Sequence, residues 1–371
     1  MDNTINALLK IIKAVLNGDS CNLENIEDID WNLLYDFAAF HSVPEMAAYK
    51  IAEIDSVPQE IKKRFSGALD ISIARDTNQE YMVSQMLDEF EKKGIECMPL
   101  KGYILKHMYP APEMRSMCDV DVLIHSSEFE KIREIMEAIG FTFDKESPHE
   151  FIFSVKPYVS VELHKSIVPD YNHDLYSYYG DGWRVAKRKR GFNNIYEMSF
   201  EDFYIYSIVH AAKHYLNGGT GIRQVSDIYV LLNSDKYDKM DKEYLTNELK
   251  KLGLDIFNEI ICDLSNVWFG ERKHDEKTAQ MAEYILMSGT YGTYERAKSS
   301  RVYRKADNNS YKTAKAKLIL KMFFPSRIGL INRYPILRKK RWLYPFVVVY
   351  RWFDVLINRR YQLDHIKGNN I

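Results

Sequence analysis

The chain has 371 residues, which suits two or three packed units better than one small domain. Hydrophobic residues make up 46% and aromatic residues 13%, so wholesale disorder is excluded. The net charge of −1 conceals a basic C-terminal part, discussed below. Four scattered cysteines form no CxxC pair, and no signal peptide or run of roughly 18 apolar residues occurs. We therefore expect a cytoplasmic protein without structural zinc.

Helical periodicity dominates the first 94 residues, which we predict to be an N-terminal helical region. Asp30 is a predicted N-cap, and Gly94 is predicted to end the last helix. The predicted helices cover residues 7–16, 31–40, a segment that opens at Pro44, and one or two long helices over 58–93.

The predicted secondary structure changes in residues 95–198, where short apolar strands alternate with helices. The predicted strands are 95–100, 119–124, 141–143, 150–155 and 158–163. Predicted helical segments cover 103–108 and a helix that Ser126 or Ser127 caps and Gly140 ends. A Tyr-rich loop is expected to follow the last strand. The buried-looking Cys97 and Cys118 lie in the apolar runs. This order predicts a compact α/β unit.

Residues 199–292 return to helical periodicity, and residues 293–371 form a basic, aromatic-rich tail that is also predicted to be helical. Ser199–Asp202 resembles a capping box, and helices are predicted from it to residue 217, then over 223–233, 242–252, 255–268 and 277–288. From about residue 298 the tail contains only three acids. Such a tail suggests an anionic partner, which could be nucleic acid, an anionic membrane face or a phosphorylated substrate, and packing on the acidic protein body is the equal alternative. For its aromatic segment, packing on the body is preferred to membrane contact.

Two acids two positions apart carry the strongest chemical signal. Asp119 and Asp121 lie in a predicted strand, so both carboxylates point to the same face, about 7 Å apart along the backbone. The residues between and after them, Val120 and Val122, point to the opposite, apolar face. Two carboxylates that share one face repel each other unless a cation lies between them, and Mg²⁺ prefers such oxygen ligands. The pair alone is a weak motif.

A third acid strengthens the prediction of a metal site. Glu162 lies in another alternating strand, with Val161 and Leu163 on the reverse face. Three acids on neighbouring strands supply what metal-assisted phosphoryl transfer needs, including one group that accepts the proton of the nucleophile.

Several spaced segments resemble the polymerase-β-like nucleotidyltransferase superfamily, and more narrowly the uncharacterised bacterial nucleotidyltransferases. The resemblance covers about residues 95–232. The segments that carry it are Leu100-Lys101-Gly102, Tyr109-Pro110, Arg115, Asp119-Val-Asp121, Gly140-Phe141, Val161-Glu162-Leu-His164, His210-Ala-Ala-Lys213-His214 and Gly221-Ile-Arg223-Gln-Val-Ser-Asp227. One departure is Lys101-Gly102, where the superfamily usually has Gly-Gly or Gly-Ser.

The resemblance implies an α+β fold in which a small mixed β-sheet nucleotidyltransferase core is flanked by N-terminal and C-terminal helical regions. It also implies that Asp119, Asp121 and Glu162 bind Mg²⁺, with Mn²⁺ as the alternative, and that Glu162 activates an acceptor hydroxyl. The acceptor attacks the α-phosphate of an NTP such as ATP, and pyrophosphate leaves. A sugar, a metabolite, a protein side chain and an RNA end all remain open as acceptors.

Basic residues near these acids are candidates for binding the triphosphate. Lys101 adds a charge, Gly102 lets backbone N–H groups approach phosphate, and Lys213 lies on the predicted histidine helix. Arg115 either forks onto phosphate or orients one of the aspartates through a salt bridge. Arg223 either shapes the nucleotide pocket or pairs with the residue four positions later.

Four further residues are candidates for supporting positions around the site. His210 and His214 have a spacing that zinc sites also use, but packing beside the cleft is the favoured interpretation because no HExxH motif accompanies them. Asp227 either pairs with Arg223 or shapes the pocket. His164 lies on the same strand face as Glu162 and either supports the site or simply ends the strand.

A different class of function is also compatible with the sequence. An inactive transferase fold could serve as a nucleotide-binding or scaffold protein, and the motifs alone do not distinguish it from an enzyme. Turnover of a nucleotide in the presence of a divalent metal separates the two hypotheses.

Overall fold

The computed structural model describes residues 3–170, 172–216, 219–290 and 340–347. The chain separates into two compact units, residues 1–296 and 297–371. The described part of the second unit contains one short 3₁₀ turn, Arg341–Leu343, near the exposed Trp342 and Phe346. Most of the predicted basic tail thus lies outside the described residues. None of the helices in the described ranges combines the length and the hydropathy that crossing a membrane requires.

The N-terminal residues form the helices that their periodicity predicts. These are α1 (Asn3–Asn17), α2 (Trp31–Phe40), α3 (Pro44–Ile51) and α4 (Gln59–Lys93). The Asp30 carboxylate accepts hydrogen bonds from the backbone N–H groups of Asn32 and Leu33, both at 3.0 Å, which confirms it as the N-cap of α2. Helix α4 is one continuous helix, and it ends at Gly94 with φ of 69°, a conformation that favours glycine.

A mixed five-stranded sheet follows, as predicted. Its elements are β1 (Cys97–Pro99), α5 (Lys101–Lys106), β2 (Val120–Ile124), α6 (Phe129–Ala138), β3 (Thr142–Glu146), β4 (Glu150–Val155) and β5 (Val159–His164). The strand order is β1-β2-β5-β4-β3. Only β2 and β5 are parallel; the other neighbours are antiparallel. The predicted α+β class is therefore confirmed.

The sheet separates two hydrophobic clusters. Val120, Val122 and Ile124 of β2 pack with residues of α4 and α6 on one face. Leu123, which points the other way, belongs to the larger helical cluster. Because side chains alternate along a strand, Asp121 lies on the same face of the sheet as Leu123. This is the face that packs against the larger helical cluster.

The remaining described elements are mostly helical. They are α7 (His173–Tyr179), β6 (Ala186–Arg188), β7 (Tyr196–Met198), α8 (Phe200–Leu216), α9 (Ile222–Leu232), α10 (Lys242–Lys251), α11 (Asp255–Phe269) and α12 (Glu276–Leu286). The backbone N–H of Asp202 donates to Ser199 Oγ at 3.1 Å, so the predicted capping residue opens α8. The predicted boundaries of the regions at residues 94, 198 and 292 remain predictions.

Two elements differ from the sequence-based expectation. The Tyr-rich segment expected to be a loop contains α7, and the hairpin β6–β7 follows it. A helix of seven residues and strands of three residues are too short to show a clear period in the sequence. Cys118 is exposed rather than buried, because it precedes β2 instead of lying within it.

Candidate active site

Two acids lie side by side where β2 and β5 run parallel. Asp121 and Glu162 are register partners across these strands. The Asp121 side chain is 35% exposed and the Glu162 side chain 24%, so both carboxylates can reach solvent at the edge of a cleft. The alternation of side chains along each strand predicted the face of the sheet on which each acid lies. The parallel register of β2 and β5 places the two acids next to each other on that face.

His164 joins this pair from the end of β5. Its Nε2 lies 2.9 Å from Asp121 Oδ1 and 3.8 Å from Glu162 Oε2, while its Nδ1 lies 3.8 Å from Glu150 Oε2. Burial lowers the pKa of His164, but its hydrogen bond to Asp121 and the surrounding acids outweigh burial and raise it. His164 Nε2 and Asp121 Oδ1 therefore share a hydrogen bond that ties the end of β5 to β2.

Asp119 lies just before β2 and is exposed. Partial desolvation in the cleft raises the pKa of Asp119, and the charge of Asp121 raises it further. Asp119 in turn is the strongest charged influence on Glu162. Asp119 thus influences the site through its charge, and it lines the cleft together with Asp121 and Glu162. Its role as a direct metal ligand stays a prediction.

The chemistry of these donors fits a divalent cation. Across the described ranges, one group of three or more His, Cys, Asp or Glu residues is arranged to hold an ion: Asp121, Glu162 and His164, whose ligand atoms lie within 4.8 Å of one another. Burial, and then the charges of Asp119, Glu150 and Asp121, raise the pKa of Glu162 to about 7. A divalent cation would offset this repulsion between carboxylates.

Behind the acids lies a buried ionic network around Asp227. Arg115 donates from Nε to Asp227 Oδ1 at 2.6 Å and from Nη2 to Oδ2 at 2.9 Å, and the Tyr109 hydroxyl donates to Oδ1 at 2.8 Å. Lys101 Nζ lies 3.9 Å from Asp227 Oδ2. Burial would raise the pKa of Asp227, but these cations lower it below its usual value. Asp227 therefore holds Arg115 and Lys101 in place. These two residues, with Lys213 and Arg223, form the basic wall of the cleft.

This network gives two predicted residues partners that the sequence did not reveal. The Arg115 salt bridge is to Asp227 rather than to an aspartate of β2, and phosphate binding by Arg115, which also lines the cleft, stays a prediction. Arg223 does not use Asp227 as a helical partner; it donates from Nη1 to the backbone oxygen of Ser116 at 3.1 Å. Arg223 Nε is buried and has no hydrogen-bond partner within the described part of the chain. An unpaired buried donor is costly, and an anionic ligand would satisfy it.

Two histidines on α8 line the same cleft. Lys101 Nζ lies 3.0 Å from His210 Nδ1, and the rings of His210 and His214 lie 4.5 Å apart. Burial, and then the charge of Lys101, lower the pKa of both imidazoles, that of His214 to about 4. Burial likewise lowers the pKa of Lys101 to about 8. Both histidines are therefore neutral, and His210 contacts the buried Lys101. This arrangement agrees with the prediction that the two histidines pack beside the cleft and do not bind zinc.

Gly102 has a steric role that the sequence did not reveal. A Cβ at this position would lie 2.7 Å from Met117 Sδ and 3.4 Å from Arg115 Nη1. The segment between α5 and β2 therefore packs directly on the backbone of Gly102. Absence of a side chain here lets Arg115 reach Asp227.

The sequence from residue 27 to residue 270 matches the model of a family described as "Uncharacterised nucleotidyltransferase". This span covers more than half of the chain and includes every element of the site described above. The chain belongs to this nucleotidyltransferase family. It is accordingly an enzyme of the transferase class.

One solved structure is similar to this nucleotidyltransferase at low identity. It is reported as "Solution Structure of Antibiotic-Resistance Factor ANT(2'')-Ia Reveals Substrate-Regulated Conformation Dynamics". The two chains are 11% identical, the match covers 50% of this chain and 97% of the other, and the TM-score is 0.34. This likeness is too low to inform on substrate. No curated protein matches the sequence significantly.

The cleft of this nucleotidyltransferase has a volume of about 500 Å³ and gathers nearly all predicted site residues. Asp227 is the exception, since it lies behind the wall. The predicted residues that line the cleft are Lys101, Gly102, Arg115, Asp119, Asp121, Glu162, His164, His210, Lys213, His214 and Arg223. Sequence reasoning missed Glu150, Ser116 and Tyr206, which also line it. Glu150 was detectable, because it begins a strand whose alternating pattern places it on one face with Ile152.

Proposed function

We propose that this enzyme transfers a nucleoside monophosphate from an NTP to a hydroxyl acceptor, with a divalent metal and release of pyrophosphate. The observation that carries the proposal is the pairing of Asp121 with Glu162 across parallel strands, in a cleft that Arg223 also lines. Carboxylates that bind a metal and a cation that binds phosphate are the two halves that nucleotidyl transfer requires.

Asp121 and Glu162, with Asp119 beside them, would hold the cation, for which Mg²⁺ is the first candidate and Mn²⁺ the second. When bound, such an ion neutralises charge on the phosphate oxygens and polarises the α-phosphate. Pre-positioned carboxylates keep the ion and the nucleotide in one orientation, so less reorganisation is needed at the moment of reaction.

The basic wall would bind the triphosphate. Arg223 and the exposed Lys213 line the cleft, and the buried Nε of Arg223 has no hydrogen-bond partner among the described residues. Lys101 adds a buried ammonium whose charge is stabilised by Asp227. Asp227 has a supporting part in this proposal, because it holds Arg115 from behind the cleft, and Arg115 lines the cleft as a further candidate for binding phosphate.

The chemical step is a displacement at the α-phosphorus. The acceptor oxygen forms a bond to the α-phosphorus, while the bond from that phosphorus to the α,β-bridging oxygen breaks and pyrophosphate leaves. The hydroxyl proton passes to the Glu162 carboxylate, which lies next to Asp121 at the cleft edge. A sugar, a metabolite, a protein side chain and an RNA end all present such a hydroxyl.

Purified protein, incubated with Mg²⁺ or Mn²⁺ and each α-³²P-labelled NTP in a native lysate, tests the proposal. We expect label to enter one lysate component, and pyrophosphate to appear in equal amount. Asp121→Asn should abolish both signals, whereas Asp144→Asn on β3 should retain them. Metal-dependent NTP binding without any labelled product would instead favour a nucleotide-binding or scaffold protein.

A further inference from the structure

His164 occupies the point where the carboxylates of the site converge. Its Nε2 lies 2.9 Å from Asp121 Oδ1 and 3.8 Å from Glu162 Oε2. The ring is 18% exposed, so its orientation is determined by packing rather than by solvent. An imidazole nitrogen in this place is either a counter-ion for the acids or a ligand for the same cation.

We propose that His164 ligates the divalent cation through Nε2, that Glu150 orients its ring, and that the site prefers Mn²⁺ to Mg²⁺. The inference rests on the metal site of the proposed function and adds a nitrogen ligand to it. Glu150 would be a positioning residue, since it acts through His164.

The position of Glu150 is what distinguishes a ligand from a simple counter-ion. Glu150 and His164 are register partners on the antiparallel strands β4 and β5, and Glu150 Oε2 lies 3.8 Å from His164 Nδ1. A metal-bound histidine usually directs its second ring nitrogen at a carboxylate, which fixes the tautomer and leaves the first nitrogen free to ligate. A rotation of the Glu150 side chain or a bridging water closes the remaining distance.

The nitrogen ligand determines the preferred ion. Mg²⁺ favours an oxygen shell and loses its waters reluctantly. Imidazole is a better ligand for transition-metal ions, and Mn²⁺ accepts carboxylate oxygens as well. A carboxylate site that includes an imidazole therefore binds Mn²⁺ more tightly than Mg²⁺, whereas carboxylates alone discriminate less between the two ions.

Electron spin-echo spectroscopy of Mn²⁺ bound to the full chain, without nucleotide, tests the ligand directly. We expect modulation from a coordinated ¹⁴N in the wild type and none in His164→Gln. By calorimetry, His164→Gln and Glu150→Gln should each weaken Mn²⁺ binding by about 10- to 100-fold, with a smaller change for Mg²⁺.

His125→Gln is the matched control. His125 also follows a strand and also faces a glutamate, with Nε2 3.2 Å from Glu96 Oε2, but it stacks on Trp183 outside the metal cluster. Its loss should leave the ¹⁴N signal and both affinities unchanged. The wild-type spectrum needs no variant, so a variant that fails to fold does not remove the test.

The outcomes separate this inference from the proposed function. Bound Mn²⁺ without ¹⁴N modulation, or equal affinity for Mn²⁺ and Mg²⁺, would overturn the role of His164 and leave nucleotidyl transfer intact. A ¹⁴N signal in a protein that never labels an acceptor would support His164 and contradict the proposed function. Absence of Mn²⁺ binding would overturn the role of His164, and the labelling assay with Mg²⁺ would still decide the proposed function.

Discussion

Arg115 and Asp227 form a two-point ion pair although 112 positions of sequence separate them. Both side chains are buried, with relative exposures of 9% and 1%. The pair joins the segment before β2 to α9, and therefore joins the acid-bearing sheet to the basic wall. Without its partner, either residue would be a buried and uncompensated charge, which destabilises the fold strongly. The pair therefore helps to hold the two sides of the cleft in their relative positions.

Removing one partner should cost far more stability than removing an exposed pair. We expect Arg115→Met to lower the free energy of unfolding by about 3–5 kcal/mol, measured by urea denaturation. Arg133→Met, which breaks an exposed pair with Glu137 on α6, should have a much smaller effect. Similar losses in the two variants would show that Asp227 is compensated without Arg115.

Glu162 should make the metal-free protein less stable as the pH rises. Its pKa is raised from 4.5 to about 7, so the folded state binds the proton more tightly than the unfolded state between these values. Stability is therefore lost as pH increases through this window, by less than the full shift would give because the carboxylate is partly exposed to solvent. In chelator-treated protein, the unfolding free energy of wild type minus that of Glu162→Gln should fall from pH 4.5 to pH 7.

Two comparisons make this measurement specific. Glu130→Gln removes an exposed carboxylate of α6, and the difference from wild type should stay flat over the same pH range. Saturating divalent metal should remove the slope seen with Glu162, because the bound cation compensates the carboxylate charge. A flat Glu162 difference in the metal-free protein would show that neither burial nor the neighbouring acids raise its pKa.

The local part of the site could be predicted from the sequence, because it follows from strand alternation. The period of two places Asp121 and Glu162 on defined strand faces, and the same pattern in β4 would have placed Glu150. The contacts of His164 depend in addition on which strands are parallel neighbours, and no local pattern specifies that pairing.

The long-range part of the site could not be predicted. Helical spacing suggested that Arg223 pairs with Asp227, because residues four apart lie on one helix face. The packing of α9 instead buries Asp227 against Arg115, and Arg223 reaches the backbone of Ser116. Side-chain partners of a buried acid depend on tertiary packing, which a single sequence does not encode in any short motif.

His41 should give the opposite pH dependence from Glu162. Its Nε2 donates to the backbone oxygen of Leu286 at 3.2 Å, and its Nδ1 accepts from the backbone N–H of Ile222 at 3.2 Å, so the neutral ring links α2, α9 and α12. Burial lowers its pKa from 6.5 to about 4. Between these values the unfolded state binds more protons, so stability rises with pH and levels off above 6.5.

The contribution of His41 can be isolated by difference. The unfolding free energy of wild type minus that of His41→Gln should rise by up to about 3 kcal/mol from acidic to neutral pH. His274→Gln, at an exposed position between α11 and α12, should show no such rise. A flat His41 difference would mean that the ring accepts a proton while it remains folded.

Arg223 should control nucleotide affinity rather than stability. Its Nη1 is already occupied by the Ser116 backbone oxygen, while its buried Nε lacks a partner in the described residues. A charged hydrogen bond to phosphate contributes about 1.5–3 kcal/mol, so Arg223→Met should raise the KM for the NTP by roughly 10- to 100-fold. If the contact is equal in the ground and transition states, kcat should change little.

Arg75→Met is the matched control for this prediction, because Arg75 contacts the same loop residue from another side. Arg75 Nη1 donates to Ser116 Oγ at 2.9 Å, and Arg75 lines a separate pocket beside α4. If loosening of the Ser116 segment were the cause, both variants would raise KM alike. A selective increase in Arg223→Met, together with an unchanged urea midpoint, would assign the effect to phosphate binding by the unpaired Nε.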